Sequence, residues 1–439
     1  MFTTMMHRIH ATASHGGSGA AVATVFAFLL IGCASCSRAE NRGGAHPSAK
    51  VAGAPKVVPP TEVKLGSGGA ILDLGTLGGD GSRLRDVNSS GQGVGTSQDA
   101  KGVDRAFYWS GAMARMDDIG SAYSAGIAIN EKGQAILYGS TDLGDASPWR
   151  VSSQGNIRGF ALSRGKTTEL DAGRGYTMPL SINNRSEIAG VALFGGEWDQ
   201  AFLWRDGKLA DLGPPKSYGP CGRAVVNDNG VIVGDDIHGL FRWAKGGFDQ
   251  IPSPLGAAGS RVERVNSAGV AAATAYMEDR SDRAVLLDGL KLRLLVPGSS
   301  DSIASAINEA GVVAGAFRTS SGAIHAYRWQ TGKLTDLGSV PGFPNSAASY
   351  MNERGTIAGY LSAKPAKNAY DVFGHPFVVA RKRMVDLATM VPPSTGWKLE
   401  RVIGVDDRGR IFGNGLHNAK KRAFMIVPPA GFWGTGGAH

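Results

Sequence analysis

INEAGVVAGAFRTSSGAIHAYRWQTGKLTDLG, residues 307 to 338, holds an asparagine, a glutamate, a histidine and an aspartate within some thirty residues. That density of polar chemistry suits an active site. It suits equally one unit of a repeat, and the rest of the chain decides between the two. Asn, two residues, Gly, three residues, Gly recurs in VNSSGQGVG (87 to 95), INNRSEIAG (182 to 190), VNDNGVIVG (226 to 234) and MNERGTIAG (351 to 359), with Ser186 replacing the first Gly in the second of these. INEKGQAIL (129 to 137) and VNSAGVAAA (265 to 273) lack the last Gly, and VDDRGRIFG (405 to 413) has Asp for Asn. The key positions are Asn88, Asn130, Asn183, Asn227, Asn266, Asn308, Asn352 and Asp406, spaced 39 to 54 residues apart. That is the length of a four-stranded propeller blade.

Each unit carries two further markers. Ala-Phe-x-Trp appears in RAFYW, QAFLW, GLFRW and HAYRW, ending at Trp109, Trp204, Trp243 and Trp329, with degenerate copies starting at 283, 375 and 422. Asp-Leu-Gly closes the unit in LADLG (209 to 213) and LTDLG (334 to 338). Read in order, a unit is strand, Asn-x-x-Gly turn, strand, loop, aromatic strand, Gly turn, strand, which is an antiparallel meander. Asn at the corner can accept the N–H two residues on, Gly supplies the positive φ that closes the turn, and the aromatics fill the space between blades. In all, 64 glycines among 439 residues, about 15% against a usual ~7%, agree with a turn-rich all-β chain.

An orphan AILDLG (70 to 75) precedes the first unit, and the last unit stops after AFMIVPP without one. The N-terminal strand can therefore complete the last blade and leave no open edge. The expectation is an eight-bladed β-propeller over 69 to 430, or seven blades if the long second unit is not a proper blade; a β-solenoid would not need this exchange.

The N-terminus has a targeting pattern. Met1 to Gly19 holds one arginine and no acid, and the apolar run AAVATVFAFLLIG (20 to 32) is too short for a membrane span. Leu30, Ile31, Gly32 and Cys33 look like a lipobox, with 1 to 32 as signal peptide and Cys33 as the lipidated residue; Ala34 points by resemblance to the outer membrane. An ordinary secretory signal is the alternative. Residues 33 to 68 are rich in Ala, Gly, Pro and Ser and are expected to be a flexible tether, with 431 to 439 a disordered tail. Cys36 and Cys221 lack the paired spacing of a zinc site. Loss of the leader lowers the net charge from +9 to +8, scattered along the chain, so nucleic acid is not expected as a partner.

The stretch DLGTLGGDGSRLRDVNSSGQGVGTSQDAKGVDRAFYW (73 to 109) resembles the HAF family of extracellular repeat proteins, whose units combine Asp-Leu-Gly-Thr-Leu-Gly-Gly, Ile-Asn-x-x-Gly and His-Ala-Phe-x-Trp. The resemblance covers 70 to about 428 and is strongest in units one, three and six. It implies an exported or surface β-repeat protein and no established reaction.

Variation is confined to the loops after Asp-Leu-Gly and before the aromatic strand, and variable loops on a rigid scaffold are where binding residues sit. Arg83, Arg85, Tyr123, Arg174, Tyr176, Trp198, Tyr218, Arg223, Tyr370 and Trp397 are the candidates, since aromatics with arginines suit sugar rings and acidic groups. Glu197 with Asp199, and Glu278 with Asp279, are acid pairs on variable loops that could serve as the paired carboxylates of a glycosidase, a role exposed loop acids seldom have. His325 and His375 share one repeat position with Arg105, Gln200 and Arg422, which argues against a base or a metal ligand. The expected protein is a non-enzymatic, lipid-anchored, monomeric binder of a glycan or an envelope protein, without cofactor or metal; an envelope-assembly scaffold and a polysaccharide-active enzyme are the alternatives.

Overall fold

The computed structural model describes residues 57 to 434, apart from 67, 117–118, 141–156, 174–175, 195–198, 214–220, 237 and 253–256. The leader, Cys33 and Cys36 lie outside the described residues. No described helix is long and apolar enough to cross a membrane.

The described residues form seven four-stranded antiparallel sheets, each a meander in chain order, and one five-stranded sheet that joins both ends of the chain. The innermost strands of these eight blades are Gly78–Val87, Tyr123–Ile129, Thr177–Ile182, Cys221–Val226, Ala257–Val265, Ser302–Ile307, Asn345–Met351 and Trp397–Val405. Each packs against its counterparts in the flanking blades, and the last packs against the first, so the ring is closed. The second unit, the long one, is a complete blade, which settles eight blades over seven.

Closure occurs where the orphan motif predicts. Ala70–Asp73 pairs antiparallel with Lys420–Val427, and so supplies the fourth strand of the eighth blade. Thr61–Lys64 adds a fifth strand outside it, with Lys64 opposite Ala70. The span read as a tether to residue 68 thus carries one strand of the sheet. At the other end Phe432 and Trp433 pack on the last blade's core, and the Trp433 indole N–H donates to the Gly409 carbonyl at 3.0 Å, so the tail begins later than expected.

The repeat letters account for the packing. The third-strand aromatics Phe107, Phe202, Phe241, Tyr327, Phe377 and Phe424 are at most 2% exposed. In register opposite each stands the last Gly of the Asn motif, for example Gly315 against Tyr327 and Gly413 against Phe424. A Cβ on Gly315 would stand 2.0 Å from the Ile303 carbonyl and 2.9 Å from the Tyr327 ring. Glycine is needed there for close approach, since its φ is ordinary. The two units without this Gly alter the partner or the fit: Ala273 faces Val285, and Leu137 faces Phe160.

The asparagines do more than close turns. In all eight units the side-chain oxygen accepts the N–H four residues on, from Gln92 onto Asn88 at 2.9 Å to Arg410 onto Asp406 at 2.8 Å. The expected bond from two residues on exists at Asn130, Asn183, Asn227 and Asp406. The amide nitrogen is turned outward to the next blade: Asn88 donates to the Asn130 carbonyl at 3.0 Å, Asn130 to Asn183 at 2.9 Å, Asn183 to Asn227 at 2.7 Å and Asn227 to Asn266 at 2.7 Å. Asn266, Asn308 and Asn352 continue the belt more loosely, at 3.3 to 3.4 Å. Asp406 has no amide to donate. Arg410 stands in for it, bound to the Asp406 carboxylate and reaching the Ser90 carbonyl of the first blade at 3.2 Å, while the Asp407 N–H donates to the Ser89 carbonyl at 2.8 Å.

Candidate functional site

All eight innermost strands run toward the Asn turns, so both short turn types lie at one end of the ring and both variable loop classes at the other. The inner strand pairs on one side only, and its free side faces the axis. In seven blades that strand carries a bulge three residues before the Asn position, at Arg85, Ile127, Leu180, Glu263, Ser305, Ser349 and Ile403. Blade four shifts its irregularity to Gly222. A bulge leaves one residue outside the ladder and re-aims its side chain. All seven bulged residues are half-buried, on strands whose free side faces the axis.

The bulge frees an inner-strand N–H one residue earlier, and the preceding blade caps it from one repeated position. Leu84 donates to the Asn414 side chain at 2.8 Å, Val262 to Asp235 at 3.0 Å and Ala304 to the Thr274 hydroxyl at 3.2 Å. Two residues before the Asn, the side chains of Asp86, Ser181 and Tyr350 accept a second inter-blade N–H, from Ile129, Val226 and Val405. Burial pushes the Asp86 carboxyl up, and that of Asp235 up to about 7. Raised carboxyl pKa values often mark active sites. Here each carboxylate does what a serine or threonine does at the same position elsewhere, so the perturbation follows from blade docking.

The channel's charge is unevenly distributed. On blades four and five, Arg223 Nη1 lies 3.0 Å and Arg261 Nε 2.8 Å from the Glu263 carboxylate. Arg264 acts electrostatically on Asp86, Tyr350 and Glu353. On blades eight and one, Arg83 and Arg401 are exposed five residues before their turn positions, with Arg85 at the bulge. At the turn end, a cavity of about 170 Å³ is lined by Asn130, Asn183 and Asn227 and by Glu131, Asp228 and Glu309. Its carboxylates are engaged by the neighbouring turn's N–H groups: Glu131 by Ser89, Asp228 by Asn184 and Glu309 by Ser267.

Of the residues named from sequence, Arg83, Arg85, Tyr123 and Arg223 all stand on innermost strands. Tyr123 is half-buried with its hydroxyl 3.3 Å from that of Tyr138. Tyr370 lies on a loop of blade seven that straps over blade six, where the Ala369 N–H donates to Asp301 at 2.9 Å and Arg318 donates to the Lys367 carbonyl at 2.6 Å. The hydroxyl of Tyr370 is buried, on the side of Tyr276 and Thr274 of blade five. Tyr176 and Trp397 are corrected to packing residues. Tyr176 is 8% exposed with its hydroxyl on Met178 Sδ at 3.3 Å, and Trp397 is 6% exposed, stacked on His417 at 4.5 Å. Arg174, Trp198 and Tyr218 lie outside the described residues, as does Glu197.

Of the acid pairs, the described members are Asp199, Glu278 and Asp279. Burial raises Asp199 to about 6, and Asp279 is exposed and caps its own hairpin through Ser281. His325 and His375 clasp an aspartate on the neighbouring last strand of their blades, with Nδ1 at 2.9 Å from Asp336 of Asp-Leu-Gly and 3.0 Å from Asp386 of Asp-Leu-Ala. Sequence reading missed Arg261, Glu263 and Arg401. Their signal was a fixed distance of three or five residues before the Asn position.

No protein-family model matches the chain, and no curated protein does. Among solved structures, a Mycobacterium tuberculosis puromycin-hydrolyzing peptidase is 12% identical with a TM-score of 0.43, covering 76% of this chain and 57% of its own. The β-propeller domain of the Trilobed protease from Pyrococcus furiosus is 9% identical with a TM-score of 0.43, covering 71% of this chain and 99% of its own. Pyrococcus horikoshii acylaminoacyl peptidase is 12% identical with a TM-score of 0.41, covering 67% and 52%. The chain thus spans little more than half of the two whole peptidases. The expectation of a non-enzymatic protein is corrected on this finding: propellers of this shape form parts of peptidases, so the shape gives no ground for setting catalysis aside. Likeness at this distance concerns the fold alone and carries no reaction to this chain.

Proposed function

We propose that this chain is an exported, monomeric propeller of the HAF type, held at the outer membrane of the cell envelope by a lipid on Cys33, and that it binds a glycan at the loop end of its central channel. The observation that supports the binding reading is that Arg83, Arg85, Tyr123 and Arg223 stand on innermost strands, with Tyr370 on the strap over blade six. Aromatic faces take sugar rings, and guanidinium forks take their acidic substituents. The apolar run before Cys33 and the Ala-, Gly- and Pro-rich segment after it support export and anchoring.

Two experiments test this. Cys33→Ala should abolish lipid labelling and membrane retention; unchanged retention removes the anchor. A glycan array probed with the purified propeller should give a reproducible class of ligands. An empty array together with recurrent capture of one envelope protein would replace the glycan by a protein partner.

A further inference from the structure

The closing seam of the ring sets the strand of Arg401 next to the strand of Arg83 and Arg85. Asn414 is the cross-strand partner of Arg401 on blade eight. Its amide holds both backbone polar atoms of Leu84 on blade one, accepting from the N–H at 2.8 Å and donating to the carbonyl at 2.9 Å. Leu84 is the residue between Arg83 and Arg85. The seam therefore sets Arg401 at the height of Arg83, five residues or roughly 17 Å from the turn end at ~3.3 Å per residue, with Arg85 some two residues nearer that end.

These arginines differ from the others in the channel. Arg223 and Arg261 share the Glu263 carboxylate as ion-pair partner. Among the described residues no carboxylate stands within ion-pair distance of Arg83, Arg85 or Arg401; Arg401 is held by a hydrogen bond to Tyr360. The acids of the same arc are Glu400, exposed beside Arg401; Asp86, next to Arg85 but turned to the Ile129 N–H of blade two; and Asp104, whose carboxyl burial pushes up against the opposing pull of Arg83. Next along the ring, the Tyr123 hydroxyl bonds to that of Tyr138; burial raises its pKa, with Arg85 and Arg83 close enough to oppose that. An arginine cannot shed its charge, and like charges in a low-dielectric cleft focus a field on an anion.

We propose that Arg83, Arg85 and Arg401, with the Tyr123 hydroxyl as donor, form an anion subsite that takes the carboxylate of a uronate unit in an acidic glycan. The proposal rests on the glycan reading above and specifies its ligand. The probes are oligogalacturonate, its methyl ester and a sulfated oligosaccharide, titrated calorimetrically into the whole propeller at two salt concentrations. Oligogalacturonate should bind with an affinity that falls as salt rises, and the uncharged ester at least tenfold more weakly. Arg83→Gln with Arg85→Gln, and separately Arg401→Gln, should each lose at least tenfold for the acid while keeping the melting temperature of the parent. Arg383→Gln, exposed on an outer strand of blade seven, should bind as the parent does. If the ester binds as well as the acid, the subsite is wrong and the glycan reading stands. If the sulfated probe alone binds, the anion site stands and the uronate is wrong. Unchanged affinity in both arginine variants, or no binding by any probe, overturns the proposal.

Discussion

Asn227 shows how one side chain serves the turn and the ring at once. Its oxygen accepts from Asn229 and Val231, and its nitrogen donates to Asn266 and Ser267 of the next blade. Asn227→Ala leaves those groups buried without partners and should cost about 3 kcal/mol in urea denaturation. Asn227→Asp keeps the acceptor bonds but faces a carbonyl with a charge, and should cost nearly as much. Asp406 is tolerated because Arg410 supplies the missing donor, so Arg410→Ala should be the damaging change there; equal stability of both Asn227 variants to the parent would sink the belt. Asp235 adds a pH dependence. Its folded pKa lies above the unfolded value of 3.8, so ionisation penalises the fold. That penalty is absent below about pH 4, grows as pH rises to about 7, and is constant above it. Asp235→Asn keeps an acceptor for Val262 and escapes the penalty, so its stability relative to the parent should improve by on the order of 2 kcal/mol between pH 4 and 8. A flat difference would contradict the assignment.

Within a blade, the unit of fit is the Gly and aromatic pair across the second and third strands. Gly315→Ala pushes a methyl group into the Ile303 carbonyl and the Tyr327 ring, and should cost about 2–3 kcal/mol. Blade five accommodates Ala273 opposite Val285, so Tyr327→Val in the Gly315→Ala background should cost less than in the parent, a coupling of about 1 kcal/mol or more. Simple additivity would mean the aromatic and the glycine do not share that space. The four-strand order, both turn types and these aromatics were legible in the sequence because hydrophobic alternation and turn chemistry are local. The bulge was not, since a strand with an extra residue reads as an ordinary strand. It showed only as Arg85, Glu263 and their counterparts keeping one distance from the Asn position, a relation that acquires meaning once the inner strands stand in a ring.

At the scale of the whole molecule, closure makes the candidate site. Arg83 and Arg401 are 318 residues apart in the chain, and only docking of the eighth blade on the first puts them side by side. The orphan AILDLG announced that closure, whereas the asymmetry of charge around the channel needed the order of blades in space. The separation of Arg223 and Arg261, which share Glu263, from the seam arginines, which have no ion-pair partner among the described residues, could not be read from a chain in which all carry the same charge. Deleting residues 57 to 76 should therefore unfold the eighth blade and abolish ligand binding together. The most direct measurement is a cross-link across the seam. Leu72 and Met425 are paired in register, and paired strand residues lie about 4.5–5.5 Å apart at Cα, within disulfide reach. Leu72→Cys with Met425→Cys, oxidised and mapped by mass spectrometry, should give one intramolecular disulfide between these two positions in a monomer. Free thiols under conditions that oxidise exposed cysteines, or a disulfide found only between two chains, would contradict a ring closed by its own N-terminal strand.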